Sequence, residues 1–327
     1  MEKGCPLEPL TGQKKVLLTG GFGYLGGRLA QALAVDGYSV LLGTSKQRLS
    51  PTWLPEAKTV LIDWKDSKAL GHACDGVDFL IHTAGMNAAC CSRDPERALE
   101  YNGGNTVRLA EAAATNNVSR FIYFSTAHVY ASPLCGVITE NTCPQNLHPY
   151  ATSHLAGENA VLYAGANSDM KSLVLRLSNC FGRPAHKTVN CWMLLVNDLC
   201  RQAVEKRSLT VKGNGRQQRD FIGIDQLCGD VKAILANTSA PTGVLNVSTG
   251  ISESVKNMAS LVQQRCEMVL GFSPDLILDD FDLTSYPVNL VIQRSEAIRK
   301  IQKPVDFAGE IDKLLTYCAN EFSLIPK

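Results

Sequence analysis

The sequence predicts an α/β protein with a doubly wound parallel sheet and a smaller C-terminal lobe. Three observations lead to this prediction. Short runs rich in Val, Ile and Leu alternate with helical stretches from Lys14 onward, a glycine-rich turn follows the first run, and the alternation loosens after Asn179. Such alternation is typical of parallel strands joined by helical crossovers that cover both faces of one sheet.

The part of the chain before residue 179 supplies most of the predicted strands, at 15–18, 38–42, 59–62, 77–82, 120–125 and 172–176. The helices between them are expected at 24–35, within 95–116, and at 149–164. Each parallel pair needs a crossover of this kind, because a tight turn cannot join parallel strands.

The second half predicts a helix at 189–204, strands at 209–212, 219–224 and 244–247, a loop at 279–287 and an amphipathic helix at 311–322. We expect a flexible leader over 1–13, the main domain over 14–178, and a lobe over 179–327. Segments of the lobe are expected to return to the main sheet.

Composition excludes several classes of protein. The 327 residues are 45% hydrophobic and 19% charged, which suits a globular core and not a disordered or fibrous chain. A net charge of +1 gives no global attraction for nucleic acid or an anionic membrane. No apolar run approaches a membrane span, and the first dozen residues lack the apolar core of a secretory signal, so a cytoplasmic location is expected.

Twelve cysteines are scattered along the chain without a Cys-x-x-Cys pair, and only Cys90 and Cys91 are adjacent. Spacing of this kind predicts reduced, mostly buried thiols and no metal site.

The glycine-rich turn reads Thr-Gly-Gly-Phe-Gly-Tyr-Leu-Gly over 19–26 and stands between a strand and a helix. Glycine lets the backbone approach a pyrophosphate, whose charge is then stabilised by the helix N-terminus. The turn therefore predicts a dinucleotide site that includes Gly20, Phe22, Gly23, Tyr24, Leu25 and Gly26.

The end of the second strand bears on which dinucleotide binds. An acidic residue there would hold the ribose hydroxyls of NAD, but the sequence over 43–48 is Gly-Thr-Ser-Lys-Gln-Arg. Thr44, Ser45, Lys46 and Arg48 could bind a 2′-phosphate, so we favour NADP over NAD. The alternative is that hydroxyl and backbone groups of this loop hold an NAD ribose.

Several further motifs make the chain resemble the extended short-chain dehydrogenase/reductase family of nucleotide-sugar epimerases, dehydratases and ketoreductases. They are His-Thr-Ala-Gly over 82–85, Phe-Ser-Thr-Ala-His-Val-Tyr over 124–130 and Pro-Tyr-Ala-Thr-Ser-His over 149–154. The resemblance spans about 14–322 and implies a dinucleotide-binding Rossmann domain with a substrate-binding lobe. It also implies cofactor contacts from Asp63, Trp64, Thr83, Ala84, Gly85, Asn102, Ser125, Tyr150 and His154.

The same resemblance assigns acid–base catalysis to Tyr150, with the Thr126 hydroxyl beside it. A phenol with a pKa near 10 is a poor base, so it needs a nearby positive charge to favour the phenolate. The residue four positions later on a helix lies on the same face. The family has lysine there, and this chain has His154.

The replacement of lysine by His154 leaves two alternatives. Histidine has an ordinary pKa near 6.5 and is mostly neutral at neutral pH. It either donates to the nicotinamide ribose as a neutral imidazole or is held as a cation. If neither replaces lysine, the site is slow or inactive.

On the substrate side, the resemblance implies that Asn179, Asn190 and Arg219 contact the diphosphate of a nucleotide sugar. Arginine suits such a bidentate contact, whereas the further arginine that the family often has in the late loop is not evident over 279–286. The family also implies a homodimer formed through the helices that contain Asn105 and Tyr150.

The sequence therefore predicts an NAD(P)-dependent nucleotide-sugar oxidoreductase, either a 4-epimerase or a 4-ketoreductase/dehydrogenase. Two alternatives remain: a weak or inactive cofactor-binding regulatory protein, which His154 motivates, and a reductase of a non-nucleotide carbonyl substrate.

Overall fold

A computed structural model describes residues 13–237, 239, 241–278, 286–287, 289–299 and 304–322. The expected leader lies outside the described residues except for Gln13, whose side-chain amide donates to the Gly37 carbonyl at 2.8 Å. Most of the expected 279–287 loop also lies outside them, and Tyr286 and Pro287 are in neither helix nor strand.

The described residues form strands and helices in near alternation. The strands are β1 (Lys15–Thr19), β2 (Ser39–Thr44), β3 (Lys58–Leu61), β4 (Phe79–His82), β5 (Arg120–Thr126), β6 (Gly136–Ile138), β7 (Lys171–Leu177), β8 (Asn179–Phe181), β9 (Ser208–Val211), β10 (Gln218–Gly223), β11 (Gly243–Val247), β12 (Ser252–Ser254), β13 (Asp275–Leu278) and β14 (Leu290–Ile292). The helices are α1 (Tyr24–Val35), α2 (Ser67–Cys74), α3 (Ala88–Arg93), α4 (Pro95–Ala98), α5 (Asn105–Thr115), α6 (Pro149–Ala166), α7 (Leu195–Lys206), α8 (Ile224–Ala236), α9 (Val255–Leu270), α10 (Glu296–Arg299) and α11 (Phe307–Phe322).

Seven strands build the main sheet in the order β11-β7-β5-β4-β1-β2-β3, and every neighbouring pair is parallel. All seven residues of β5 are buried, as expected of a strand whose two faces are both covered by helices. This architecture confirms the predicted α/β fold with a doubly wound parallel sheet. The expected strand at 244–247 is β11, which extends this sheet beside β7.

The helix predicted within 95–116 is not one continuous α-helix. It consists of α4, a π-helical stretch over Leu99–Gly104, and α5. Gly103 lies in the π-helical stretch, and a Cβ added there would be 3.2 Å from the Cβ of Ala156 in α6. The wider turn thus lets the backbone pack closely on α6, a contact that sequence periodicity alone does not reveal.

The lobe has its own core between α7, α9 and α11, with Leu199, Val262 and Leu314 fully buried in it. The prediction that a helix starts at 189 was wrong, because α7 begins only at Leu195. The backbone N–H of Leu194 bonds to Cys191 in a tight turn, so the preceding residues form a loop.

Helices α2, α8 and α9 were not predicted from the sequence. The structure also contains three small sheets, in and near the lobe, whose strand pairing was not predicted. They are β12-β10-β8, β13-β9 and β14-β6. Within the described part of the chain, no helix has both the length and the apolar character needed to cross a bilayer.

Candidate active site

Two cavities lie at the carboxyl end of the main sheet, and a third lies beside them within the lobe. We name them the loop pocket, of about 160 Å³, the central cavity, of about 530 Å³, and the lobe cavity, of about 590 Å³. Gly23 lines both the loop pocket and the central cavity, while Met193 and Leu195 line both the central and lobe cavities. The carboxyl edge of a parallel sheet is the usual ligand site in such folds.

Most of the predicted site residues line one of these cavities. Those on the central cavity are Gly23, Tyr24, Leu25, Thr83, Gly85, Ser125, Thr126, Tyr150, His154, Asn179 and Asn190. Those on the loop pocket are Gly20, Phe22, Gly23, Thr44, Ser45, Arg48, Trp64 and Ala84. Arg219 lines the lobe cavity.

Four predicted residues line none of the three cavities. Gly26 packs beneath the turn, and Lys46 is exposed beside the loop pocket. The Asp63 carboxylate accepts from the backbone N–H of Lys65 at 3.0 Å. Asn102 is buried, and its amide accepts from Met86 N at 2.8 Å and donates to Ser153 Oγ at 2.9 Å, so it ties the loop after β4 to α6.

Backbone contacts fix the shape of the glycine-rich turn. Gly20 has φ +73°, and a Cβ there would lie 2.8 Å from the backbone nitrogen of Ala84. A Cβ on Gly26 would collide with the Gly20 carbonyl oxygen. The N-cap of α1 is Gly23, which has no side chain to bond the first N–H groups, and the first turn holds no acidic residue. These donors therefore suit an anion.

Arg48 stands at the mouth of the loop pocket. Its guanidinium lies 4.9 Å from the centre of the Phe22 ring, a cation–π contact. The Thr44 hydroxyl instead donates to the Lys46 carbonyl at 2.9 Å. Thr44, Ser45 and Arg48 therefore line the pocket, and Lys46 does not.

Tyr150, Thr126 and His154 meet on the wall of the central cavity. Tyr150 and His154 are one turn apart on α6, with ring centres 4.5 Å apart in an edge-to-face arrangement. Thr126 ends β5. Burial raises the pKa of the Tyr150 phenol above its ordinary value, and the Thr126 hydroxyl, placed to hydrogen-bond with the phenolate, acts in the opposite direction.

His154 is buried, with 7% of its surface exposed. Burial lowers the pKa of His154 from its ordinary value of 6.5 to about 4, because no solvent stabilises the charged ring. Its Nδ1 lies 2.9 Å from the Tyr123 hydroxyl. Burial thus acts against the cationic form of His154.

A buried ion pair supports the same part of α6. Glu158, one turn after His154, accepts from Arg176 Nε at 3.1 Å and from its terminal nitrogen at 2.6 Å. Ser125 Oγ donates to Glu158 at 2.5 Å. Ser125 therefore lines the cavity while its hydroxyl holds α6 against β5.

On the substrate side, the Asn179 amide donates to the Asp220 carbonyl at 2.9 Å and faces the central cavity. Asn190 lies in the loop before α7 and not at the start of that helix. Arg219 bonds to the Gln217 side chain at 2.7 Å and 3.1 Å, with its guanidinium on the lobe cavity. Asn179 and Asn190 thus share the central cavity, and Arg219 lies in the adjoining one.

Sequence reasoning missed Tyr123 and Glu158. The spacing of four from Tyr150 through His154 to Glu158 could have placed Glu158 on the same helical face. Nothing in the sequence pairs Tyr123 with His154, since they are brought together only by the packing of α6 on β5.

The comparisons with known proteins identify the family. A model of the NAD-dependent epimerase/dehydratase family matches residues 16–248. The chain therefore belongs to this family.

Two curated relatives and one solved structure illustrate the family. An uncharacterised UDP-glucose epimerase of Bacillus subtilis is 25% identical over 264 residues, which cover 76% of this chain and 81% of that protein. UDP-arabinose 4-epimerase 1 of Arabidopsis thaliana is 27% identical over 295 residues, with 80% and 68% covered. UDP-glucuronic acid 4-epimerase from Bacillus cereus, solved with UDP-glucuronic acid and NAD, shares the fold with a TM-score of 0.77 at 22% identity, with 94% and 99% covered.

The residues of the cavities fit a nicotinamide dinucleotide. The turn over 20–26 leads into the N-terminus of α1, where Gly23 supplies no side-chain cap, and the loop pocket has hydroxyl and guanidinium groups near the end of β2. Gly85, Tyr150 and His154 line the central cavity, where the far end of such a molecule would reach.

Proposed function

We propose that this protein is a nicotinamide-dependent nucleotide-sugar oxidoreductase that acts at C4 of the sugar, most simply as a UDP-sugar 4-epimerase. The observation that carries the proposal is the meeting of Tyr150 and Thr126 on a cavity that continues both toward the glycine-rich turn and toward the lobe. The names of the relatives, UDP-glucose epimerase and UDP-arabinose 4-epimerase, support the substrate class.

In this proposal Tyr150 moves the proton. The sugar C4 hydroxyl lies against Tyr150 and Thr126, Tyr150 in its phenolate form takes the hydroxyl proton, and it later returns that proton to the same oxygen. Thr126 holds the oxygen during both transfers. When bound, the nicotinamide supplies a reversible hydride acceptor.

The lobe would hold the nucleotide end of the substrate. Asn179 and Asn190 line the central cavity, and Arg219 lines the cavity next to it, so a diphosphate between them would meet amide and guanidinium donors. Arg219 is partly desolvated, which lowers its pKa from the ordinary value, yet an arginine stays charged at neutral pH.

The test is to incubate the protein with NAD and each of UDP-glucose, UDP-arabinose and UDP-glucuronic acid, and to follow the sugar by proton NMR. An epimerase converts one substrate into its C4 epimer without net change in the absorbance of reduced nicotinamide. Net formation of reduced nicotinamide together with an oxidised sugar would instead identify a 4-ketoreductase/dehydrogenase working in its oxidising direction. A protein that binds these compounds and converts none of them would contradict both.

His154 favours a second candidate, a regulatory protein that binds the cofactor and is catalytically weak. A neutral imidazole provides no permanent charge to stabilise the Tyr150 phenolate, and Tyr150 already has a raised pKa. Binding of cofactor and nucleotide sugar, measured by calorimetry, together with negligible turnover over the whole pH range of stability would support this candidate.

For the cofactor, we propose that NADP binds more tightly than NAD. Ser45 and Arg48 line the loop pocket at the end of β2, and no acidic residue of the described part of the chain lines it. The Bacillus cereus structure was solved with NAD, so NAD is the cofactor against which the affinity for NADP is compared. Calorimetry with both cofactors tests this proposal, and a tenfold preference for NAD, about 1.4 kcal/mol, would overturn it.

We propose that the protein is a homodimer through α5 and α6. Val107 on α5 is 41% exposed and Tyr163 on α6 is 72% exposed, so both helices present apolar groups on their outer faces. Light scattering should give twice the chain mass, and Val107→Glu should reduce it to one chain. A wild-type mass of one chain would contradict the proposal.

A further inference from the structure

Tyr123 occupies an unusual position beneath His154. It lies in the middle of β5, is 1% exposed, and has its hydroxyl 2.9 Å from His154 Nδ1. The nearby helix leaves room for it, since a Cβ on Gly157 of α6 would lie 2.5 Å from that hydroxyl. The phenol therefore reaches His154 only because position 157 has no side chain.

The ring of Tyr123 is held in place from the other side by His82. The two rings are stacked with centres 5.5 Å apart. His82 is itself fixed, with Nδ1 2.5 Å from the Thr19 hydroxyl and Nε2 3.0 Å from the Thr106 hydroxyl. Tyr123 is thus a rigid partner for the imidazole above it.

A neutral imidazole carries one N–H, so its partner decides which nitrogen bears the proton. If the Tyr123 phenol donates to Nδ1 and not to the Thr106 hydroxyl, which also contacts it, the imidazole proton is left on Nε2. Among the described residues, no protein atom forms a hydrogen bond with His154 Nε2. This nitrogen borders the central cavity beside Gly85, where an added Cβ would lie 3.8 Å from it.

We propose that Tyr123 is a positioning residue that fixes the tautomer of His154, so that Nε2–H is presented as a donor to the ribose of the bound dinucleotide. The inference rests on the cofactor site of the proposed function. It explains how a neutral histidine serves where a lysine would otherwise supply a donor: Tyr123 and Gly157 orient a single N–H in place of a flexible ammonium group.

The test begins with the tautomer in the cofactor-free protein. Nitrogen-15 NMR of histidine-labelled protein distinguishes the two ring nitrogens, and His154→Gln identifies the signals of His154. We expect the Nε2–H tautomer in the wild type near neutral pH. The Nδ1–H tautomer in the wild type would overturn the proposal, and this measurement needs no folded Tyr123 variant.

The second measurement compares two variants that each lose one phenol hydroxyl. Tyr123→Phe should abolish the single-tautomer signal and weaken cofactor binding about tenfold. Tyr38→Phe, which alters a ring that packs on Phe79 far from His154, should change neither. An unchanged tautomer and affinity in Tyr123→Phe would overturn the proposal.

A third comparison separates positioning from a structural effect. In a His154→Lys background, lysine presents its own donors, so Tyr123→Phe should no longer weaken cofactor binding. A loss that persists in this background would show that Tyr123 acts on the fold and would also overturn the proposal. Because none of these measurements uses a nucleotide sugar, failure of sugar turnover would contradict the proposed function and leave this inference standing.

Discussion

The glycine-rich turn and the face of α6 that carries Tyr150 and His154 both contribute to the lining of the central cavity and are built in different ways. The turn depends on backbone approach, because side chains at Gly20 and Gly26 would meet other backbone atoms. The face of α6 depends on side-chain partners that arrive from β5 and β7, among them Tyr123 beside His154 and Arg176 beside Glu158.

This difference determines how each region tolerates change. A backbone turn accepts few residues but needs no particular protonation state. On the α6 face, the protonation state of a side chain can change while the backbone keeps its shape. Burial alone, for example, lowers the pKa of His154 to about 4. Loss of the Tyr150 oxygen should therefore reduce turnover more than cofactor binding, whereas a substitution in the turn should act on cofactor binding.

The largest expected effect is on turnover in Tyr150→Phe. This substitution removes the phenol oxygen that transfers the proton, so the rate should fall about 10²- to 10⁴-fold. Cofactor affinity, measured by calorimetry, should stay close to that of the wild type, because the turn is untouched. Substantial residual turnover would remove Tyr150 from its proposed role.

The next effect concerns the lobe. Arg219→Ala should weaken nucleotide-sugar binding by about 1.5 to 3 kcal/mol, the range for hydrogen bonds to charged groups, while cofactor binding persists. Arg216→Ala is the matched control, since Arg216 is exposed and does not line the lobe cavity. Equal sugar affinity in the two variants would place Arg219 outside the site.

The turn itself gives the smallest of these effects. Gly26→Ala should weaken cofactor binding by about 1 to 3 kcal/mol, because the added Cβ must displace the Gly20 carbonyl. Gly229→Ala in α8 is the control, since nothing lies within 4 Å of its added Cβ. Calorimetry that finds the two variants alike would show that the turn is not tightly packed around the ligand.

The parts that depend on backbone could be predicted from the sequence. The turn over 19–26, the helix α1 and the strands of the main sheet follow from glycine spacing and apolar runs. The start of α7 could not, since the apolar residues of 189–194 continue a helical pattern that the tight turn at Leu194 interrupts.

The candidate site could be predicted in its residue types but not in its protonation states. Tyr150, Thr126 and His154 were expected together, and they lie together on the cavity. Whether His154 is neutral depends on its burial. Its tautomer is proposed to depend on Tyr123, 31 residues earlier in the chain. Such contacts between distant segments arise from packing, so no regular spacing of residues in the sequence reveals them.

The most direct test of the account is the pH dependence of turnover in the wild-type protein. Burial raises the pKa of Tyr150 and lowers that of His154, so His154 stays neutral above about pH 5, and the phenolate fraction grows as the pH rises. The account predicts a rate that increases steadily above neutrality. A rate that falls as the pH rises through the ordinary histidine range, about 6 to 7, would show that His154 acts as a cation and would contradict it.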